Sequence, residues 1–367
     1  MARDGGGMLH ATPTATGTLQ RQLDRLDGLH AELAHEIGRA APWDGTLRRD
    51  ARAASVVSST SIEGYSVNRL DARAIVDGAQ PAPGDDDNRW AVACYARAMD
   101  HVRVMSDDPV FAWDHRVLLD LHFDACLFQP KHSPGRYRST PIHVSAPKGG
   151  WAYRDPDADR VVELMGAAST WLQTRDLRAH VAVRAAMAHL HIISIHPFRD
   201  GNGRISRIAH ALVLARAGVL APEFASIEPY LAANTSEYYL ALQQAQGPTY
   251  DPTRDATAWV EFCIEAHIEQ ALDFQQRMRE MARRWTALEQ IASGRGWPER
   301  MVIALEHALT GGLARGAYAV EAAVSAPTAT NDLRRLGDAG LVEQRGGGRS
   351  TTYAATQLLH DALASFD

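Results

Sequence analysis

The sequence predicts a mostly α-helical protein with a short β-hairpin and a C-terminal winged helix-turn-helix. Along most of the chain, apolar residues recur at spacings of three and four, which is the period of amphipathic helices. One stretch alternates instead: residues 135–144 lead into a turn with proline and glycine at 147–150, which indicates a hairpin. Near the C-terminus, a helix-turn-helix pattern precedes two short strands around a glycine-rich turn at 346–350, the layout of a winged helix.

The first two helices are predicted over residues 19–37 and 46–62. Each shows helical spacing of its apolar residues, and Gly64 is suited to the left-handed conformation that ends many helices. A linker with prolines and a run of aspartates follows at residues 78–87 and marks a boundary.

The central helices continue to about residue 263. The helix predicted over residues 180–194 leads directly into a loop at His196, and the next helix runs from about Asn202 to Gly218. In the C-terminal region the spacing predicts three helices and two strands, at residues 298–309, 317–324, 327–336, 341–344 and 351–353. We therefore expect four parts: a disordered lead-in (1–17), an N-terminal helical region (18–87), a helical core (88–280) and a winged-helix domain (281–367).

Composition predicts a soluble, cytoplasmic protein. The chain has 367 residues, 46% hydrophobic and 22% charged, which is ordinary globular composition with room for two or three domains. A net charge of -6 argues against a protein that coats nucleic acid or an anionic membrane. No apolar run approaches the ~20 residues that span a bilayer, and the N-terminus has no apolar signal segment. The widely spaced Cys94, Cys126 and Cys263 predict buried free thiols in a reducing compartment.

The loop that begins at His196 carries the densest set of reactive side chains. An unperturbed histidine is mostly neutral at pH 7, so His196 can accept a proton from a hydroxyl. Asp200 is a hard oxygen ligand suited to a Mg²⁺ that bridges phosphates. Gly201, Asn202 and Gly203 allow backbone N–H groups and a helix N-terminus to face phosphate oxygens.

Two arginines complete this loop. Arg204 and Arg207 stand three residues apart, so they share one face of the helix, and their guanidinium groups suit phosphate oxygens. Pro197 and Phe198 carry no chemistry and are expected to direct the chain and anchor the loop. The alternative is a helix-connecting turn with a capping aspartate and surface arginines, but chance rarely places all these side chains together. The loop thus predicts a site that binds a nucleoside triphosphate and activates a hydroxyl.

Residues 196–207 resemble the signature of the Fic family, H-x-F-x-D/E-G-N-G-R-x-x-R, and match it at every defined position. In that family a target hydroxyl attacks the α-phosphate of ATP, which leaves AMP on a serine, threonine or tyrosine. The resemblance implies that His196 is the general base, that Asp200 holds Mg²⁺ and that Arg207 takes the γ-phosphate. It also implies a nucleotide-binding set of Gly201, Asn202, Gly203, Arg204, Ile205, Ser206 and Arg207.

The resemblance extends over roughly residues 45–275. Residues 140–148 stand where Fic proteins carry a hairpin flap that docks the target segment by strand addition. Tyr239 corresponds to a nucleotide-contacting position, although core packing is an equally good interpretation of both Tyr238 and Tyr239.

An inhibitory pattern of the same family, S/T-x-x-x-E-G/N, is matched from Ser59 to Gly64. The Glu63 carboxylate at the end of a helix would pair with Arg207 and take the place of the γ-phosphate. The alternative is a surface glutamate near a helix end. Beside the complete motif, we favour autoinhibition.

Two further sets of residues have open interpretations. His189 and His191 are two apart on a helix and face different ways, which favours helix packing over a metal site. Residues 284–350 carry eight arginines against seven acidic residues, so the winged helix is either a DNA reader or a protein-interaction or dimerisation module. Its candidate DNA contacts are Thr328, Thr330, Asn331, Arg334, Arg335, Arg345 and Arg349.

The sequence therefore predicts an autoinhibited protein adenylyltransferase that uses ATP and Mg²⁺. The alternatives are an enzyme that also removes AMP with the help of Glu63, a member that transfers another phosphate-containing group, and a nucleotide-sensing DNA-binding regulator. The target protein, self-modification and homodimerisation stay open.

Overall fold

The computed structural model describes residues 7–39, 41–142, 144–145, 152–347 and 351–366. This part of the chain is mostly helical, as predicted. It divides into two compact units, one formed by Met1–Ala40 with Arg48–Phe274 and the other by Ala41–Leu47 with Gln275–Asp367. The predicted four-part division of the chain remains a prediction.

The larger unit is built from helices and one small hairpin. In chain order the helices are α1 (Gly17–Ile37), α2 (Asp44–Ile62), α3 (Arg69–Val76), α4 (Asp87–Ser106), α5 (His115–Cys126), α6 (Val161–Thr174), α7 (Val181–Ile195), α8 (Asn202–Ala217), α9 (Pro222–Ala225), α10 (Glu228–Ala233), α11 (Thr235–Gln246) and α12 (Thr257–Ser293). The start of α2 and the end of α12 belong to the other unit. Short 3₁₀ turns at Pro130–His132 and Ala158–Arg160 lie in the connections.

Two central helices, α7 and α8, form the core of this unit. Every residue of α7 from Ala185 to Ile195 is buried, so the helix is enclosed on all sides. α8 packs against α7 and is flanked by α4 and α5. Fully buried side chains such as Leu190 and Leu212 each contribute about 1.5–3 kcal/mol on burial. The loop between α7 and α8 is therefore held between two firmly packed helices.

The end of α2 follows the prediction made from Gly64. This glycine has φ +88°, and its N–H donates to Ser61 O at 3.0 Å. The N–H of Tyr65 donates back to Thr60 O at 3.0 Å, which closes a left-handed helix end. Glu63 consequently stands at a sharp and well-defined turn.

The predicted hairpin is present but short. β1 (Val144–Ser145) and β2 (Ala152–Tyr153) pair antiparallel, with Val144 opposite Tyr153. His143 and residues 146–148 of the predicted flap lie outside the described residues, as do residues 149–151 of the predicted turn and its end. The prediction that residues 135–142 are also extended strand is wrong, because Arg138 donates its backbone N–H to Pro197 O of the α7–α8 loop.

The N-terminal segment requires a correction. Residues 7–16 were expected to be disordered, yet Leu9 and His10 are buried. The hydroxyl of Thr12 donates to Asp176 Oδ2 at 2.6 Å, and Tyr250 donates to Met8 O. These long-range contacts stabilise a segment whose composition suggested none.

The smaller unit has the element order predicted for a winged helix. After α12 come α13 (Met301–Leu309), α14 (Arg315–Glu321), α15 (Ala326–Asp338), β3 (Val342–Arg345), β4 (Thr352–Ala355) and α16 (Gln357–Ala364). β3 and β4 pair antiparallel, and Leu313 bridges to Tyr353. A buried Asp332 accepts from Arg300 and from Tyr318 and so joins the three helices. The terminal helix α16 was not predicted.

The three cysteines are free and buried, as predicted. Among the described residues, no helix has both the length and the apolar character needed to cross a bilayer.

Candidate active site

The loop between α7 and α8 lines a cavity of about 210 Å³ in the larger unit. Its walls come from the end of α2, from residues 199–203, from α8 and from α11. His196 and Arg207 both face this cavity, together with Glu63. The structure thus brings the predicted base, the predicted phosphate ligand and the predicted inhibitory residue to one place.

His196 is held as a neutral base. It directly follows α7 with φ +51° and ψ +58°, a left-handed conformation that costs a non-glycine residue about 1–2 kcal/mol. Its Nδ1 lies 3.3 Å from Ile193 O, and because a carbonyl only accepts, Nδ1 carries the proton. Nε2 therefore keeps its lone pair. Burial lowers the pKa of His196 to about 4, so the ring is neutral at pH 7 and can accept a proton.

The backbone of His196 is tied down by Arg138, a residue that the sequence analysis missed. The Arg138 side chain is buried and donates from Nε to His196 O at 2.8 Å. It also forms an ion pair with Asp155 at 2.6 Å. The only signal in the sequence was an arginine in an otherwise alternating segment just before the hairpin.

His122 supports the other side of the loop. Its ring stacks on Phe198, with centroids 3.6 Å apart and planes at 4°. Gly135 N–H donates to Nδ1 at 2.9 Å, so Nε2 carries the proton and donates to Asp200 O at 2.9 Å. Burial lowers the pKa of His122 to about 4, which keeps this bridge neutral. Nothing in the sequence distinguished His122 from a packing histidine.

Asn202 closes the loop on itself. Its Oδ1 accepts from Phe198 N at 2.9 Å, and its Nδ2 donates to Phe198 O at 2.8 Å. Both ends of the side-chain amide are thus used inside the loop. A contact between Asn202 and a nucleotide would come from its backbone, and the predicted role remains a prediction.

The two glycines of the loop lie in close contact with neighbouring side chains. Gly201 has φ +78°, and a Cβ there would overlap Cys126 Sγ. A Cβ on Gly203 would overlap the Glu63 carboxylate oxygen Oε1. Gly203 therefore provides the room in which Glu63 sits.

Asp200 presents a partly exposed carboxylate. Gly201 N–H donates to Oδ1 at 2.7 Å, and His132 Nδ1 lies 3.0 Å from Oδ2. Burial opposes ionisation, but Arg204, the Gly201 N–H and His132 outweigh it and lower the pKa of Asp200. Within the described residues no cluster of three or more histidine, cysteine or acidic side chains could hold a metal. One ionised carboxylate fits a Mg²⁺ that arrives with nucleotide phosphates, which usually supply its other ligands.

Arg207 is buried and bonded to the end of α2. Its Nε donates to Ser59 Oγ at 2.7 Å and its Nη2 to Ser59 O at 3.0 Å. The same Nη2 donates to Glu63 Oε1 at 2.8 Å. Nη1 has no hydrogen-bond partner among the described residues, and it lies 3.1 Å from where a Cβ on Gly203 would be. This donor is buried beside the Glu63 carboxylate, so an anion in the cavity reaches it only when Glu63 moves.

Arg204 does not line the cavity. It is fully buried, donates to Ala125 O at 3.3 Å and to Gln129 Oε1 at 3.0 Å, and faces the rings of Tyr65 and Phe128. Ile205 and Ser206 are also buried in α8 and lie outside the cavity lining. The structure therefore does not bring these three predicted nucleotide-binding side chains to the cavity, and their roles remain predictions.

Both tyrosines line the cavity, and they differ in exposure. Tyr238 is buried, and its hydroxyl lies 3.0 Å from Nε2 of His189, so it also packs in the core. Tyr239 is partly exposed. His191 packs edge-on against Trp171, 4.7 Å between centroids. Both histidines are thus buried packing residues, as predicted.

Comparison with known proteins identifies relatives of this arrangement. Residues 112–214 match the Fic/DOC family. A protein adenylyltransferase Fic of Nematostella vectensis is 25% identical over 221 residues, which cover 57% of this chain and 48% of the relative. The corresponding protein of Culex quinquefasciatus is 28% identical over 205 residues, 54% of this chain and 38% of the relative. The chain spans about half or less of the length of these curated relatives.

Solved structures share the fold. A Fic family protein from Desulfovibrio desulfuricans G20 aligns with a TM-score of 0.60 at 22% identity, covering 95% of this chain and 98% of that chain. Fic-1 of C. elegans aligns with a TM-score of 0.53 at 21% identity, covering 71% and 73%. At these identities the likeness shows the fold alone.

Proposed function

We propose that the protein is an autoinhibited protein adenylyltransferase, since its residues 112–214 match the Fic/DOC family. It moves AMP from ATP to a serine, threonine or tyrosine hydroxyl of a target protein or of itself. The observation that carries this proposal is the neutral His196, whose Nε2 is free to accept a proton in a cavity that Arg207 also lines.

The chemistry follows from that geometry. His196 Nε2 takes the proton of the target hydroxyl as the oxygen attacks the α-phosphorus. A new O–P bond forms, the bond between the α-phosphorus and the bridging oxygen breaks, and pyrophosphate leaves. General-base catalysis of this type contributes about 10²–10⁴-fold. The buried loop keeps the imidazole in position and neutral at pH 7 until it takes this proton.

The phosphates have matching groups in the cavity. Arg207 offers the unpartnered Nη1, and the N-terminus of α8 with Gly201 and Gly203 favours anions. Asp200 would hold a Mg²⁺ that neutralises phosphate charge when bound. These features support ATP with Mg²⁺ as the substrate.

Glu63 supports autoinhibition. Its carboxylate accepts a hydrogen bond from Arg207 Nη2 and packs against Gly203. We expect the γ-phosphate of ATP to bind Arg207 at this same position. The cavity of about 210 Å³ is smaller than the roughly 300–1,000 Å³ of most ligand pockets. ATP must therefore displace Glu63 before its triphosphate reaches Arg207.

The same carboxylate favours a second candidate function. Glu63 and His196 line one cavity, so Glu63 could orient a water that removes AMP from a modified target. With this second activity, the enzyme would both add AMP to its target and remove it. Release of labelled AMP from a purified modified target, lost in Glu63→Gly, would distinguish this activity from simple inhibition.

The remaining partners follow from the outer parts of the chain. The β1–β2 hairpin would dock the target segment by strand addition. In the winged helix, Arg334 pairs with Asp338 and Arg345 with Glu343, which weakens the case for DNA and favours a protein partner or a homodimer. The three free thiols support a cytoplasmic location.

The test uses ATP labelled at the α- or γ-phosphate. Wild type, Glu63→Gly and His196→Ala are incubated with Mg²⁺, alone and in cell lysate. We expect label on protein from the α-phosphate only, stronger with Glu63→Gly and absent with His196→Ala. Label from the γ-phosphate would indicate a kinase-like reaction. No label from either position would favour the nucleotide-sensing regulator, for which a gel shift with Arg334 and Arg335 variants is the next test.

A further inference from the structure

One buried guanidinium, that of Arg138, joins three separate segments of the larger unit. Its Nη1 donates to Thr140 O at 3.3 Å, on the chain that enters β1. Its Nη2 donates to Pro156 O at 2.6 Å and pairs with Asp155 at 2.6 Å, on the chain that leaves β2. Both ends of the hairpin are thus bonded to one side chain.

The third segment is the catalytic loop. Arg138 Nε donates to His196 O at 2.8 Å, and the Arg138 backbone N–H donates to Pro197 O at 2.9 Å. The carbonyls of His196 and Pro197 therefore both accept hydrogen bonds from Arg138, which lies 58 positions before His196.

This contact lies where the backbone is strained. His196 adopts a left-handed conformation, which persists only when its surroundings hold it. Arg138 fixes the carbonyl of that residue and so holds the strained backbone from which the imidazole projects. A lysine would keep the charge opposite Asp155 but could not bond three carbonyls in a planar fork.

We propose that Arg138 is a positioning residue that couples the target-docking hairpin to the catalytic His196. The inference rests on the proposed adenylyl transfer. A target strand added to the hairpin would act on His196 through the same guanidinium that holds both ends of the hairpin. Arg138 itself touches neither the nucleotide site nor the transferred group.

The experiment measures AMP transfer in the active Glu63→Gly background. We compare Arg138→Lys with Arg184→Lys, a matched control in α7 whose guanidinium donates to Leu172 O at 2.8 Å and lies over Trp171. We expect Arg138→Lys to lower kcat about 10–100-fold, since misplacement of a catalytic group by 1 Å can cost about 10²-fold. The KM for ATP should change less than about 3-fold, because Arg207 and the α8 N-terminus are untouched.

The pH profile separates positioning from general damage. In the parent, the acid limb of kcat should lie at or below about pH 4, because burial lowers the pKa of His196 and the substitution removes the Glu63 charge that raises it. Release of the loop lets water reach the ring, so the limb of Arg138→Lys should move up toward about 6.5. The limb of Arg184→Lys should stay with the parent.

Asp155→Asn is the second variant, in case Arg138→Lys does not fold. It keeps the carbonyl contacts of Arg138 but removes the charge that orients the guanidinium, so we expect a smaller loss in kcat. Because the Asp155 charge raises the pKa of His196, its removal should not move the acid limb upward, and kcat alone is the readout for this variant. An unchanged kcat and acid limb in Arg138→Lys, or an unchanged kcat in Asp155→Asn if that variant alone folds, would overturn the inference. Absence of AMP transfer by the Glu63→Gly parent would instead overturn the proposed function, and this inference with it.

Discussion

Arg204 and Arg207 lie one turn apart on α8 and have opposite surroundings. Both reach toward the end of α2, as two residues on one helix face must: Arg207 contacts Glu63 and Arg204 faces Tyr65. Arg207 lines the cavity, whereas Arg204 lies outside the lining and is bonded to Ala125 O. Two identical residues of one motif thus have different tasks, one directed to an anion and one to the loop that surrounds it.

The largest effect should come from Arg207. In the Glu63→Gly background, Arg207→Gln should lower kcat/KM for ATP about 10²–10³-fold, because the buried cation that meets the phosphates is lost. Steady-state kinetics with labelled ATP measure this. Binding of AMP, which lacks the γ-phosphate, serves as the internal control and should change little. Equal losses for ATP and AMP would show that Arg207 does not select the triphosphate.

Substitution of Glu63, the partner of Arg207, should give the second-largest effect, which is an increase in activity. Glu63→Gly should raise AMP transfer about 10–100-fold, because freeing Arg207 changes one charge-assisted contact of about 1.5–3 kcal/mol. The isosteric Glu63→Gln removes the charge but keeps the volume, so its rate should lie between those of wild type and Glu63→Gly. Equal rates for all three proteins would sink the autoinhibition proposal.

Substitution of Arg204 should affect the stability of the protein more than it affects the binding of ATP. Arg204→Gln removes the cation between Tyr65 and Phe128 and leaves buried acceptors unpaired, so we expect the free energy of unfolding to fall by about 1–3 kcal/mol. Urea unfolding measures this. In the Glu63→Gly background the KM for ATP should stay within about 3-fold of the parent. A KM for ATP that rises as in Arg207→Gln, with an unchanged free energy of unfolding, would instead indicate that Arg204 binds the phosphates.

The smallest effect is that of pH on the reaction between pH 6 and 8. Burial holds the pKa of His196 at about 4, below its ordinary value near 6.5, so the base is already neutral throughout this range. The rate constant kcat in the Glu63→Gly background should therefore be flat there and fall only as pH approaches about 4. A midpoint near 6.5 would mean that His196 is solvated in the active state.

The buried histidines should also make the stability of the protein depend on pH, and stability, like kcat, should fall as the pH is lowered. Burial lowers the pKa of His191 and His210 to about 3, so the unfolded chain binds more protons below pH 6.5 than the folded chain does. The free energy of unfolding is therefore highest above the unfolded pKa and falls as pH drops through 6.5 toward 3.

Local patterns predicted much of this molecule. The boundaries of α7 and α8 agree with the predicted helices to within one or two residues, because their periodicity and flanking residues are local. The turn at Gly64 was predicted for the same reason. The disorder expected for residues 7–16 was wrong, since Leu9 is buried by contacts with distant parts of the chain.

The sequence by itself determined the mostly helical fold, the position of the motif loop and the residue types that a nucleotide site requires. Only the tertiary structure decided which of those side chains face the cavity. The pairing of Glu63 with Arg207, 144 positions apart, was expected from the family resemblance and not from local patterns, whereas that of Arg138 with His196, 58 positions apart, was not expected at all. Periodicity and spacing report only the neighbours within a few residues along one helix or strand. The orientation of a buried arginine instead depends on which distant acceptors satisfy it, because an unpaired buried charge is too costly to leave.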